Sequence, residues 1–246
     1  MIHYEFPLNE KTRKFLRLEE IFLKCDAQFS SKVKYKESDL FETLFNLMAT
    51  ASRSDLKIEL IQEIERQKNK YRLLAKTRGN LTTLKELNAL RNLLEKTSIK
   101  PGYYFGEDKF LQEIKARSDS PYGIVWTDFP EIQCWLQSES LEARKNYFKE
   151  KFTPFLPIKK TIIYLTNLLR INTKMELITI DNLTYQAKLD STIKNDLVII
   201  QTQSKPTLFP SLSSNKYAIN INFISPKKTT NLKSQPIKFK IGITAF

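Results

Sequence analysis

The sequence predicts an α+β protein: an N-terminal α-helical bundle followed by a small antiparallel β-domain. Three observations carry that prediction. Apolar residues recur every three or four positions from Phe15 to Leu169, the spacing of one helix face. From about Met175 the pattern shifts to period two, in segments rich in Ile, Val, Thr and Phe. Turn-forming stretches punctuate the β-rich part, "FPSLSSN" and "SPKKTTNLKSQP" among them. The boundary falls at residues 173/174, giving an α-helical domain over 1–173 and an antiparallel β-domain over 174–246.

The first helix starts after Asn9, which reads as its N-cap, with Leu8 before it as a hydrophobic staple. Phe15, Leu18 and Phe22 share its apolar face, widened by Leu16, Ile21 and Leu23, while Arg13 and Arg17 stand together opposite. Its first half is basic (Lys11, Arg13, Lys14, Arg17), which the helix macrodipole disfavours. Those cations therefore call for a reason other than helix stability. In "ESDLFETLFNLMAT" the stripe is Leu40, Phe41, Leu44, Phe45 and Met48. A longer helix opens at Ser54 and Asp55 and carries Leu60, Ile64, Gln67, Tyr71 and Leu74, with Gly79 as its terminator. The next one restarts with a capping box from Thr83 to Glu86 and carries Leu84, Leu87, Leu90 and Leu94, so the two form an antiparallel hairpin. After the break at Pro101-Gly102 come "EDKFLQEIKAR", "SLEARKNYFKEKF" and "LPIKKTIIYLTNLLR". In the β-part, Tyr217, Ile219, Ile221 and Phe223 share one face. Ile237, Phe239, Ile241 and Ile243 share another, with Lys238 and Lys240 opposite.

Chemistry is sparse. The lone histidine, His3, precedes the first helix, in a terminal stretch where disorder is common. No His/Cys cluster has metal-ligand spacing, and five glycines form no phosphate loop, so no cofactor is expected. Glu63, Glu65, Glu107 and Asp108 read as caps and solvated faces. Cys25 and Cys134 lie in apolar runs and read as buried small hydrophobes. No stretch reaches the ~20 apolar residues of a membrane span, and the N-terminus lacks a signal-peptide core, so a cytoplasmic, non-enzymatic binding protein is expected. A net charge of +13 attracts nucleic acid, anionic lipid or an acidic protein, and charge alone does not choose among them. A single-strand nucleic-acid-binding protein is the alternative, with Tyr103, Tyr104 and Tyr122 as stacking candidates. Against it, no recognition helix and no aromatic-rich RNA-binding sheet is evident.

"YEFPLNEKTRKFLRLEEIF" resembles the opening of the ZapD family of bacterial division proteins. Pro7, Leu8, Asn9, Glu10, Arg13, Leu16, Arg17, Leu18 and Glu19 match its PLNE-x-x-R-x-x-L-R-[IL]-E pattern. Four more segments follow in the family's order: "SDLKIELIQEIERQKNKY", "GYYFGEDKFLQEIKAR", "DFPEIQCWL" and "LFPSLSSNKYAININF". The resemblance implies a helical domain joined to a β-domain, and a symmetric homodimer at the mid-cell division ring. It also implies a basic groove for the C-terminal tail of FtsZ, the tubulin-like ring protein. Two tails held per dimer cross-link filaments by bivalency.

Carried onto this chain, the resemblance makes Arg17 and Lys109 the leading groove residues, with Arg13, Lys14, Gln133 and Lys216 beside them. The competing role for Arg17 is an ion pair that fixes helix packing. The same role is the stronger one for Arg13, which neighbours Glu10 and Glu20, and Lys109 competes with a plain solvated charge. Gln133 stands where relatives of this kind carry His. By the same resemblance, Ser214 stands at a glycine of the family's pattern, and Ala218 and Asn222 at positions that are often arginine.

Overall fold

A computed structural model describes residues 1–30, 37–51, 55–73, 78–98, 101–118, 129–203, 208–225 and 236–244. Tyr122, Ser54, Leu74 and nearly all of "SPKKTTNLKSQP" lie outside the described residues, as does the side chain of Tyr104. The elements run β1 (Ile2–Pro7), α1 (Glu10–Ser30), α2 (Glu37–Ala51), α3 (Leu56–Leu73), α4 (Arg78–Glu95), α5 (Lys109–Ser118), α6 (Pro130–Ser138), α7 (Leu141–Phe152) and α8 (Leu156–Ile171). Strands β2 (Glu176–Ile180), β3 (Thr184–Lys188), β4 (Leu197–Thr202), β5 (Phe209–Ser214), β6 (Ala218–Ile224) and β7 (Ile237–Thr244) complete the α+β fold. The chain divides into two compact units, 1–16 with 165–246 and 17–164, so α1 and α8 each contribute to both.

The β-unit holds two antiparallel sheets, ordered β1-β4-β7-β2 and β3-β6-β5. One apolar cluster unites residues of both, with Val198, Ile200, Ile219, Ile221, Phe223, Phe239 and Ile241 at its centre. Period-two alternation sets this up, because every second residue of β6 and β7 points into the cluster. Tyr217 does not join it; it lies in the turn before β6 and is exposed. The N-terminus is ordered: Ile2–Pro7 pairs with β4, placing His3 opposite Gln201. Leu8 packs against the β-cluster instead of stapling its own helix, whose N4 position is the polar Arg13. "FPSLSSN" is largely strand, not turn. β5 is an edge strand, where Pro210 forfeits no ladder bond of a central strand. Ser214 is extended at the end of β5, and no described non-glycine residue has positive φ, so the missing glycine imposes no strain.

In the helical unit, Leu18, Phe22, Leu40, Phe41, Leu44, Phe45, Leu60, Ile64, Leu87, Leu90 and Leu94 are buried as their periodicity predicts. Helices α3 and α4 are antiparallel. Lys57 at the start of α3 donates to the carbonyls of Glu95 (3.3 Å) and Thr97 (2.6 Å) past the end of α4. Gly79 does not terminate α3 but sits in the first turn of α4, and Thr83 is inside α4, its hydroxyl donating to the Gly79 carbonyl at 3.2 Å. Propensity at one glycine is a weak signal, and the apolar stripes decide the pairing. Glu63 is not solvated either. It is buried and accepts from Gln67 Nε2 at 2.9 Å and from Arg66. Gly102 adopts φ 94°, and a Cβ there would sit 3.0 Å from the Phe155 ring, so glycine is required at this turn.

Candidate functional site

Asn9 fixes the start of α1. Its Oδ1 accepts from the Thr12 backbone N–H at 2.9 Å, the N-cap bond expected from the sequence, and its Nδ2 donates to Asp196 Oδ1 at 2.6 Å. Arg13 and Arg17, four residues apart, are both exposed on this helix. They differ in what they touch. Arg13 Nη1 pairs with Glu10 Oε1 at 3.0 Å, both side chains largely in water. No ion pair involves Arg17 among the described residues, so the packing role that competed for it has no partner there. Lys14 is half-buried and engaged.

Lys109 opens α5 and is exposed. The acid before it is fully occupied. Asp108 Oδ1 caps α5 by accepting from Leu111 N–H at 3.1 Å, while Oδ2 meets Lys151 Nζ at 2.8 Å and the Tyr147 hydroxyl at 3.2 Å. Burial works against the Asp108 carboxylate, but Lys151, the Leu111 amide and Tyr147 outweigh it and hold the carboxyl below its ordinary range. Among the described residues, no ion pair holds Lys109.

An aromatic cluster ties α5 to α6 and α7. Phe110, beside Lys109 on α5, lies 5.5 Å from Trp135 on α6, and Trp135 lies 5.5 Å from Tyr147 on α7. Phe41 and Phe148 extend the cluster inward at 4.7 Å from each other. At the other end of α5, Arg117 meets Glu131 of α6 at 3.5 Å and lies over the Phe129 ring at 5.5 Å. Gln133, two residues before Trp135, is exposed and engaged. Lys109 and Gln133 thus stand on two helices clamped together, with Arg17 on α1 of the same unit. Cys134 is exposed, which corrects the buried reading, because α6 turns Ile132 inward and Cys134 out. The sequence reading missed Asp108, Tyr147 and Lys151 as the fixture for Lys109; the i, i+4 spacing of Tyr147 and Lys151 was the available signal.

Lys216 belongs to the β-unit, in the turn between β5 and β6. There Asn215 Oδ1 accepts from the backbone N–H of Tyr217 (2.8 Å) and Ala218 (2.9 Å). Ala218, Asn220 and Asn222 alternate with the buried β6 residues, so that face carries neutral side chains, at Ala218 and Asn222 in positions where the family often has arginine by the resemblance.

Residues 16–222 match the family ZapD, described as a cell division protein. The chain belongs to the ZapD family. It is 31% identical over 235 residues to the cell division protein ZapD of Azoarcus sp., covering 92% of each chain. The ZapD of Chromobacterium violaceum is 32% identical over 233 residues, covering 92% of this chain and 90% of the relative. That of Janthinobacterium sp. is 29% identical over 254 residues, with both chains covered completely. Membership places the chain among cell division proteins. No described helix is long and apolar enough to cross a membrane.

Proposed function

We propose that this ZapD-family chain is a non-enzymatic division factor of the cytoplasm that binds the acidic C-terminal tail of FtsZ and, as a homodimer, bundles FtsZ filaments at the division ring. Arg17 and Lys109 supply the tail-binding charge, Gln133 flanks Lys109, and Lys14 and Arg13 border Arg17. The observation that carries the reading is the state of the neighbouring charges. Asp108 is consumed by Lys151, Leu111 and Tyr147, and Glu10 by Arg13, whereas Arg17 and Lys109 are exposed with no ion pair among the described residues. An exposed guanidinium suits a carboxylate-bearing peptide because it offers a bidentate fork; Lys109 adds a point charge. Anisotropy of a labelled FtsZ tail peptide tests it. Arg17→Ala and Lys109→Ala should each weaken binding with an unchanged far-UV spectrum, and unchanged isotherms for both would remove them from the site.

A further inference from the structure

The outward face of the four-stranded sheet carries a line of lysines. Lys238, Lys240 and Gly242 alternate along β7 with Phe239 and Ile241 of the apolar cluster, so they lie on the side away from it. The chain that enters β2 crosses this face at Gly242: a Cβ there would stand 2.9 Å from the Lys174 carbonyl and against Thr173 and Met175. Lys174, Lys240 and Lys238 therefore follow one another down the sheet in steps of about 7 Å, two strand residues each. Lys174 and Lys238 are exposed and Lys240 is half-buried. Among the described residues, none of the three makes an ion pair. The strand register sets Gln201 and then His3 to one side of Lys240, Leu177 to its other side, and Thr179 beside Lys238. Of the nearby acids, Glu5 is held by Arg170, and Glu176 alternates with Leu177 onto the other side. Asp181 stands past the end of β2, one negative charge against three positive ones.

We propose that this face binds the phosphodiester backbone of a single nucleic-acid strand without regard to base sequence. Lys174, Lys240 and Lys238 contact successive phosphates, and His3, Gln201 and Thr179 meet the sugars and bases beside them. The step of the lysine line is close to the separation of successive phosphates along one strand. Phosphate contacts carry no sequence information, so they need neither a recognition helix nor a sheet of aromatic rings. A lipid surface fits this face less well. It takes a broad apolar side, whereas here one exposed aliphatic residue, Leu177, stands among hydrogen-bonding side chains. The proposal does not rest on the tail-binding reading, whose residues belong to other elements.

Anisotropy of labelled oligodeoxythymidine over a salt series tests it on the full chain. Oligoglutamate of equal charge, and vesicles of phosphatidylcholine with phosphatidylglycerol, serve as comparisons. Non-specific binding of this kind has a Kd of about 10⁻⁴–10⁻⁶ M at physiological salt, and three phosphate contacts to a single strand contribute about −2 to the slope of log affinity against log salt. The variant K174Q/K238Q/K240Q should lose that contribution, with an unchanged thermal midpoint, and K174R/K238R/K240R should keep it. An equal change of charge at exposed lysines of α1, α4 and α7, K24Q/K85Q/K149Q, should leave the slope as it is. In the unaltered protein, bound oligonucleotide should protect Lys174, Lys238 and Lys240 from acetylation, read by mass spectrometry. Equal loss of slope in the two glutamine variants, or no protection of the three lysines, would overturn the proposal. So would oligoglutamate binding as tight as the oligonucleotide, or vesicle capture that the triple glutamine variant loses while it keeps oligonucleotide binding.

Discussion

Lys151 on α7 reaches Asp108 at 2.8 Å across the start of α5, and that contact leaves Lys109, the next residue, as an exposed cation. The segment "GEDKF" thus separates two jobs. The aspartate is structural: it caps α5 and ties it to α7. The lysine faces outward. The aromatic cluster of Phe110, Trp135 and Tyr147 fixes the three helices that carry this arrangement.

Asp108→Asn should keep the cap and lose the ion pair, whereas Asp108→Ala loses both. The cap is worth about 1 kcal/mol and the charged hydrogen bond about 1.5–3 kcal/mol. Urea denaturation should therefore order the proteins unaltered, Asn, Ala. Because the folded carboxyl is held below its ordinary range, its stabilisation is present above the unfolded value near ~3.9. It is lost as pH falls through the lower, folded value. Both variants should show a shallower loss of stability below about pH 4.

Arg13 and Arg17 stand on the same side of α1 and make opposite predictions. Arg17→Ala should weaken binding of the FtsZ tail peptide about tenfold, the scale of one charged contact. Arg13→Ala removes an exposed pair worth about 0–1 kcal/mol and should leave affinity within about twofold. Equal losses in anisotropy titrations would mean that bulk charge, rather than the pairing state, sets affinity.

Much of this was legible in the sequence. The α+β class, the buried stripes of α1 to α4, the Asn9 cap and the inward faces of β6 and β7 follow from periodicity and one capping residue. β1 was not legible. "IHYEFP" is short, and its identity as a strand depends on β4, 200 positions away for the pair Ile2 with Thr202. "FPSLSSN" reads as a turn by composition and becomes a strand only through its pairing with β6. The cations were visible from the first helix; which of them are paired was not, because Lys151 approaches Asp108 from an element some 40 positions on.

The two thiols should differ in reactivity. Cys25 is buried, and burial, with Asp26 adding and Lys159 opposing, pushes its thiol up to about 12. Cys134 is exposed. A chromogenic disulfide reagent at pH 8 should titrate one thiol rapidly in the native protein and two in denaturant. Two rapid thiols in the native protein would contradict the packing of α1.

Glu5 of β1 receives Arg170 of α8 through two bonds, Nε to Oε1 at 2.7 Å and Nη2 to Oε2 at 2.9 Å. Arg170→Ala should cost about 1–3 kcal/mol in urea denaturation, since both groups are half-buried and the geometry is bidentate. Amide exchange should rise first along β1.

On the proposed reading, this protein holds FtsZ filaments by their tails. Sedimentation of preformed filaments of full-length FtsZ, and of FtsZ lacking its C-terminal tail, tests it most directly. Co-pelleting and bundling should occur with the full-length filaments alone and weaken as salt rises, because the contacts are exposed charges. Equal co-pelleting with tail-less filaments, or none with either, would contradict it.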